Sequence, residues 1–260
     1  MSQRGGLGNI GLCAVVVVAA ATACAPPPGG SALRGAASAR WPMDEAGAPV
    51  MHDVSGSGWH GVIGSSIAVG GGAYRFPGWS GNVDGNGHLS GTVDARAGAV
   101  EVPDPPGGLN PQRSGFVLSV LLRSQLTVGG LPSAAGASYN VVQKGRADDR
   151  SGFWKLELAG SGNEIGLLRW VLADGRHSVV VTSGVRVDDG AWHTVTAERR
   201  GDRAYLTVDG TTMTASASAL GAISPSGHYG RAMTIGKKPG SSDPRDAFAG
   251  WLDELAISAG

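Results

Sequence analysis

The side chains most able to carry catalysis are the carboxylates, and their spacing argues against it. Retaining hydrolysis of a glycosidic bond needs two carboxyl groups about 5–5.5 Å apart on one surface. On a strand, residues i, i+2 and i+4 share a face, so the signature is a run of the E-x-D-x-E kind. No such run occurs in the chain of 260 residues. Asp148 with Asp149, Asp188 with Asp189, and Asp253 with Glu254 are adjacent pairs, which point to opposite faces or sit in turns. Glu157 stands alone among apolar neighbours. There is no G-x-S-x-G elbow and no H-E-x-x-H, and the six histidines are dispersed, so His193 reads as a strand residue with a polar tip. Gly56 to Gly61 matches G-x-G-x-x-G in form, but no βαβ context surrounds it. Lys237 and Lys238 follow Gly236 without the Ser/Thr of a phosphate loop and read as a strand end. The reading is a protein that is not an enzyme.

Binding makes different demands. A sugar ring is taken by an exposed aromatic beside polar groups. Trp59, Trp79 and Tyr229 lie in Gly-rich, turn-like stretches and are the candidate ligand-binding aromatics. The alternative is that each folds back onto the core. Nucleic acid is excluded as the main partner, because 21 basic and 21 acidic residues leave no net charge to meet a phosphate backbone.

Such residues need a scaffold, and the pattern that begins at Trp41 is one of short strands. Runs at 116–123, 139–144, 153–158, 166–172, 178–182, 193–198, 204–208, 232–236 and 251–257 alternate apolar and polar residues, and each closes on Gly, Asp or Asn. No stretch holds a capped 3.6-residue period, so almost no helix is expected. Gly201-Asp202 and Asp209-Gly210 are hairpin turns. With 44 glycines and seven tryptophans the chain reads as many tight turns around an aromatic core. The fold class is all-β, an antiparallel β-sandwich. The Pro/Gly-rich stretch 98–114 reads as a loop.

The N-terminus has a different logic. Arg4 precedes an apolar run from Ile10 to Ala23, shorter than a spanning helix, which is the layout of a signal peptide. Ala21-Thr22-Ala23-Cys24 resembles a bacterial lipobox, with Ala21 where Leu is usual, so Cys24 is the expected lipidation site. Ordinary cleavage after Ala23 is the rival reading. Diacylation would anchor the chain through buried methylenes, the only membrane contact expected. Cys13 and Cys24 are the only cysteines, so the body has no disulfide. The division is a signal segment 1–24, a Pro/Gly/Ala-rich tether 25–40 and one domain 41–260, roughly 220 residues and enough for a full core.

Several segments resemble one family. Trp192-His193-Thr194-Val195, running on to Val208-Asp209-Gly210, is similar to the W-H-x-V strand pair ending in V-D-G of laminin-G-like, concanavalin A-like domains. Residues 248–257 resemble the closing strand F-x-G-x-(I/L)-D-E-(V/L)-x-(I/L). Trp41 to Glu45 with Asp53 to Gly61 resembles the opening strand and its D-x-S-G-N-G turn, Ser57 replacing Asn, and residues 116–123 resemble the F-T-V-S strand, with Leu121 where Trp is common. The resemblance implies a jelly roll over 41–260. It also implies calcium as the one cofactor, with Asp53 and Asp253 as ligands; otherwise Asp53 caps its own turn and Asp253 makes a local salt bridge.

The expected function is an exported, non-catalytic binding module, lipid-anchored on the outer face of the cell membrane or secreted, which recognises a carbohydrate or an extracellular or envelope protein. A structural domain of the envelope without a small-molecule site is the alternative, and a divergent glycoside hydrolase comes third.

Overall fold

The structure is a computed structural model. It describes residues 38–260 except 48, 105–107, 114, 126–130 and 133. The signal segment, Cys24 and nearly all of the tether lie outside the described residues.

Among the described residues the strands are β1 (Ala39–Trp41), β2 (Val50–Met51), β3 (Gly61–Ile63), β4 (Tyr74–Phe76), β5 (Val100–Pro103), β6 (Phe116–Ser124), β7 (Ser138–Lys144) and β8 (Phe153–Ala159). There follow β9 (Leu167–Ala173), β10 (Ser178–Arg186), β11 (His193–Arg200), β12 (Arg203–Val208), β13 (Thr211–Ser216), β14 (Ala232–Ile235) and β15 (Gly250–Ala259). Helical structure is limited to short 3-10 turns. One sheet has seven strands in the order β1-β15-β6-β11-β12-β13, with β4 also on β15. The other has eight, in the order β10-β9-β8-β7-β14-β5-β3-β2. The named strands all pair antiparallel, and the late strands β14 and β15 insert between early ones, as in a jelly roll.

Alternation decides which face is buried. On β6, Phe116, Leu118, Val120 and Leu122 point inward, while Val117, Ser119 and Arg123 are half-buried on the outer face. Phe116 meets Trp154 of β8 at 5.1 Å and stacks on Trp170 of β9 at 6.0 Å and 8°. This aromatic cluster joins the two sheets. Such rings bury the largest areas in a core, and truncating one to Ala costs about 3–5 kcal/mol.

Turn chemistry fixes register. Asp209 and Gly210 both have positive φ (49° and 82°), the conformation of a type I′ hairpin, which joins Val208 to its partner Thr211. Gly201 at φ 64° likewise closes Arg200 onto Arg203.

Two boundaries differ from expectation. The stretch 98–114 contains β5, whose Val100 and Val102 are fully buried and which pairs with both β14 and β3. Its four residues end on Pro103, and flanking Pro and Gly hide so short an alternation. The sheet also begins inside the expected tether, where Ala39 and Arg40 pair with Ile257 and Ala256. Small polar-flanked residues carry no apolar signal of their own; the closing strand recruits them.

Candidate functional site

Asp53 is buried and occupied. Its Oδ1 accepts the N–H of Arg40 (3.0 Å) and of Ser55 (2.9 Å), and its Oδ2 accepts that of Trp59 (3.0 Å). Burial works to raise its pKa, but these N–H donors win and hold the carboxyl below the usual range. Asp53 thus knots the Ser-Gly turn to β1. A calcium ligand needs lone pairs facing the ion, and here N–H groups face them.

Asp253 is buried on the outer face of β15, and burial first, with Glu254 and Asp44 nearby, pushes its pKa up to about 6. Its Oδ1 accepts the N–H of Glu254 (2.8 Å), which sits at φ 49° where the β15–β6 register shifts. The Asp-Glu step is therefore a β-bulge held by its own carboxylate. Asp253 makes no salt bridge among the described residues; Glu254 makes one, to Arg40 at 2.8 Å. No three His, Cys, Asp or Glu side chains gather as a metal-binding group among the described residues. The donor set at Asp53 does not fit a calcium ion; at Asp253 only Oδ1 is engaged, and no group of three such ligands gathers around it among the described residues.

The three aromatics are not brought together. Trp79 is fully buried, 5.5 Å from the Tyr139 ring, and supports the loop above it from within the core. Tyr229 is half-buried, with Arg146 4.7 Å over its ring and Gly240 packed against its edge. Trp59 is half-buried against Gly108, and its carbonyl accepts the Trp41 indole N–H (2.7 Å). Gly-rich flanks signal a bend, and a bend turns an aromatic inward as readily as outward.

Glu157 is not alone. Arg169 reaches its Oε1 at 2.6 Å, and Lys155 and the Ser138 hydroxyl engage Oε2. These partners come from β7, β8 and β9, so no local window in the sequence could reveal them. His193 is likewise engaged: Nδ1 meets Asp209 at 2.7 Å and Nε2 meets Asp189 at 2.9 Å, tying two turns together. Burial works to lower its pKa, but the two carboxylates raise it overall.

A cleft of about 410 Å³ lies open between residues 89–92 and 242–245, with Ala134 also in its lining. The two walls are joined by Val93 N–H donating to the Ser242 carbonyl (3.0 Å). Asp243 caps the 3-10 turn Pro244–Asp246 through the Arg245 N–H (2.9 Å), and the Arg245 guanidinium returns to both of its carboxylate oxygens at 2.6–3.0 Å. That hydrogen bond from Arg245 holds Asp243 below the usual carboxylate range despite partial burial. The hydroxyls of Thr92 and Ser242 have no hydrogen-bond partner among the described residues, and Leu89 and Pro244 supply apolar surface beside them. The arrangement can accept and donate hydrogen bonds next to an apolar patch. Asp243-Pro244 was readable as a turn; its meeting with residues 89–92, far away in the chain, was not. Neither this cleft nor its neighbour is lined by Trp59, Trp79 or Tyr229.

Comparisons with known proteins bear on the fold. A family model described as the concanavalin A-like lectin/glucanases superfamily matches residues 131–260. No curated protein matches the chain. The binding domain of paraclostridial mosquitocidal protein 1 is similar with a TM-score of 0.57 and 15 % identity, over 85 % of this chain and 48 % of that one. The botulinum neurotoxin serotype G binding domain is similar with a TM-score of 0.60 and 14 % identity, over 85 % of this chain and 47 % of that one. The chain spans about half the length of these solved structures, and the likeness is one of fold.

Proposed function

The chain belongs to the concanavalin A-like lectin/glucanases superfamily, and we propose that it is an exported, non-catalytic module that binds a carbohydrate in the cleft between residues 89–92 and 242–245. The observation that carries this reading is the lining itself: unengaged Thr92 and Ser242 hydroxyls and a fixed Asp243 carboxylate beside the apolar Leu89 and Pro244. A sugar offers the complement, hydroxyls at its rim and C–H groups on its faces. Two structures of this fold are themselves binding domains, which supports a binding role. Turnover is disfavoured because Glu157 is committed to Lys155 and Arg169.

A glycan array followed by calorimetry tests the reading. At least one neutral glycan is expected to bind, and Asp243→Asn or Ser242→Ala is expected to weaken it about tenfold, the scale of one lost hydrogen bond to a charged or well-placed group. An empty array with an envelope protein captured instead would favour a protein partner and overturn the carbohydrate reading. Mass spectrometry of the mature N-terminus tests export: a diacylated Cys24 supports the anchor, cleavage after Ala23 supports secretion, and an intact Met1 overturns both.

A further inference from the structure

Lys237 follows β14 directly. Gly236 before it has φ 84°, and a Cβ there would meet the Phe76 ring at 2.1 Å, so no side chain fits and the chain turns tightly. The turn sets Lys237 opposite Ala247 in an antiparallel bridge and carries its side chain under the loop at 93–94. Lys237 is 1 % exposed. An ammonium has three N–H donors. Lys237 directs Nζ to the carbonyls of Val93 (3.2 Å) and Asp94 (2.9 Å) and has no ion pair among the described residues. Every Asp and Glu of the chain lies among those residues, so none is overlooked. The nearest acids are otherwise engaged: Asp94 accepts the N–H groups of Arg96 and Ala97, and Asp246 meets Lys238 at 3.3 Å. Two neutral carbonyls leave a buried charge uncompensated, which is costly in a low-dielectric interior. Burial accordingly depresses the lysine's pKa, and the fields of Asp94 and Asp246 offset this only in part.

Lys237 lines a cavity of about 220 Å³ that also touches Ser66, Pro77, Asn82, three glycines and Asp94, whose carboxylate is turned to the N–H groups of Arg96 and Ala97. At ~30 Å³ per water the cavity has room for about seven waters or one small organic acid. Ser66 is exposed, and its hydroxyl has no hydrogen-bond partner among the described residues. A buried cation lacking a counter-ion, a free hydroxyl and an open volume occur together.

We propose that this cavity binds a carboxylate, held by the Lys237 ammonium and the Ser66 hydroxyl. The carboxylate is either a free small acid or the acid arm of a sugar lying in the adjoining cleft, and the site stands whether or not that cleft takes neutral glycans. The test is the melting midpoint of the full chain at neutral pH in roughly 50 mM acetate, glucuronate or chloride at equal ionic strength. A carboxylate with a dissociation constant of about 10 mM raises the midpoint by about 3 °C over chloride. A rise with acetate identifies a free small acid; a rise with glucuronate alone identifies the acid arm. Lys237→Met is expected to abolish the rise. Ser66→Ala keeps the lysine and removes the hydroxyl at an exposed position that the fold tolerates; it is expected to reduce the rise. Equal midpoints in all three salts, or a carboxylate rise unchanged in Lys237→Met or Ser66→Ala, overturns the site.

Discussion

Lys144 and Lys237 are two buried ammoniums on the same sheet, held in opposite ways. Lys144 ends β7, is fully buried, and meets the carboxylate of Asp104. Asp104 also accepts the N–H groups of Gly108 (2.8 Å) and Leu109 (3.0 Å). Burial lowers the Lys144 pKa and Asp104 counters it, so the cation, its anion and the loop after β5 form one closed unit. Lys237 is as deeply buried, yet it has carbonyls where Lys144 has a carboxylate, and a cavity beside it. Burial alone does not distinguish a structural charge from one that can recruit a ligand. The counter-ion does.

The largest effect is expected where that unit is broken. Asp104→Ala leaves Lys144 buried and unpaired and orphans two N–H groups, and should cost about 3–5 kcal/mol in urea unfolding. A cost below about 1 kcal/mol would erase the contrast between the lysines.

Asp253 is the anionic counterpart of Lys237, buried with one N–H donor and no ion-paired cation among the described residues. Its folded pKa of about 6 stands above the unfolded value near 3.9. The linked stability is therefore present below about pH 4 and lost as pH rises through 6. Asp253→Asn should stabilise the protein by roughly 1–2 kcal/mol at pH 8 and leave it unchanged at pH 4. A destabilised variant at pH 8 would show that the ionised carboxylate is needed after all, as it would be for a cation ligand.

His193 extends the Lys144 pattern with two carboxylates. Its raised pKa means that the protonated clamp contributes fully below about 6.5 and fades as pH rises through the folded value. Asp209 and Asp189 lie at the surface; what desolvation they feel would raise them, but N–H donors and His193 hold them low, so their share is lost only as pH falls below about 4. Denaturant midpoints from pH 6 to 9 should fall by the equivalent of about 1 kcal/mol in the wild type and by clearly less in His193→Gln, which keeps only the share of Asp253; Asp189 is more than half exposed, so solvent screens its part.

Lys237→Met should change stability least, within about 1 kcal/mol, because it removes an uncompensated charge and keeps the apolar stem. A loss above about 3 kcal/mol would place Lys237 beside Lys144 as a structural cation.

The sandwich was legible from Trp41 onward because its cues are local. Asp209-Gly210 sets a turn, and alternate residues of β6 and β11 set a buried face. The turn role of Asp53 was open in the sequence as one of two readings. β5 was not legible, since four residues between prolines and glycines carry too little alternation. Trp79 was misplaced because neighbouring glycines report a bend and not its direction. The partners of Glu157 and the bulge at Asp253 depend on which strands become neighbours.

The sequence by itself determined the fold class, the hairpins and the missing tandem-carboxylate pattern, all consequences of period-two alternation and turn chemistry within a few residues. Only the tertiary structure decided which polar groups are satisfied. Whether Asp53 has a free lone pair, or Lys237 a counter-ion, depends on atoms far away in the chain: Lys237 meets the carbonyl of Val93, 144 residues distant. Long-range pairing alone brings such groups into the low-dielectric interior, where a present or absent partner is worth several kcal/mol.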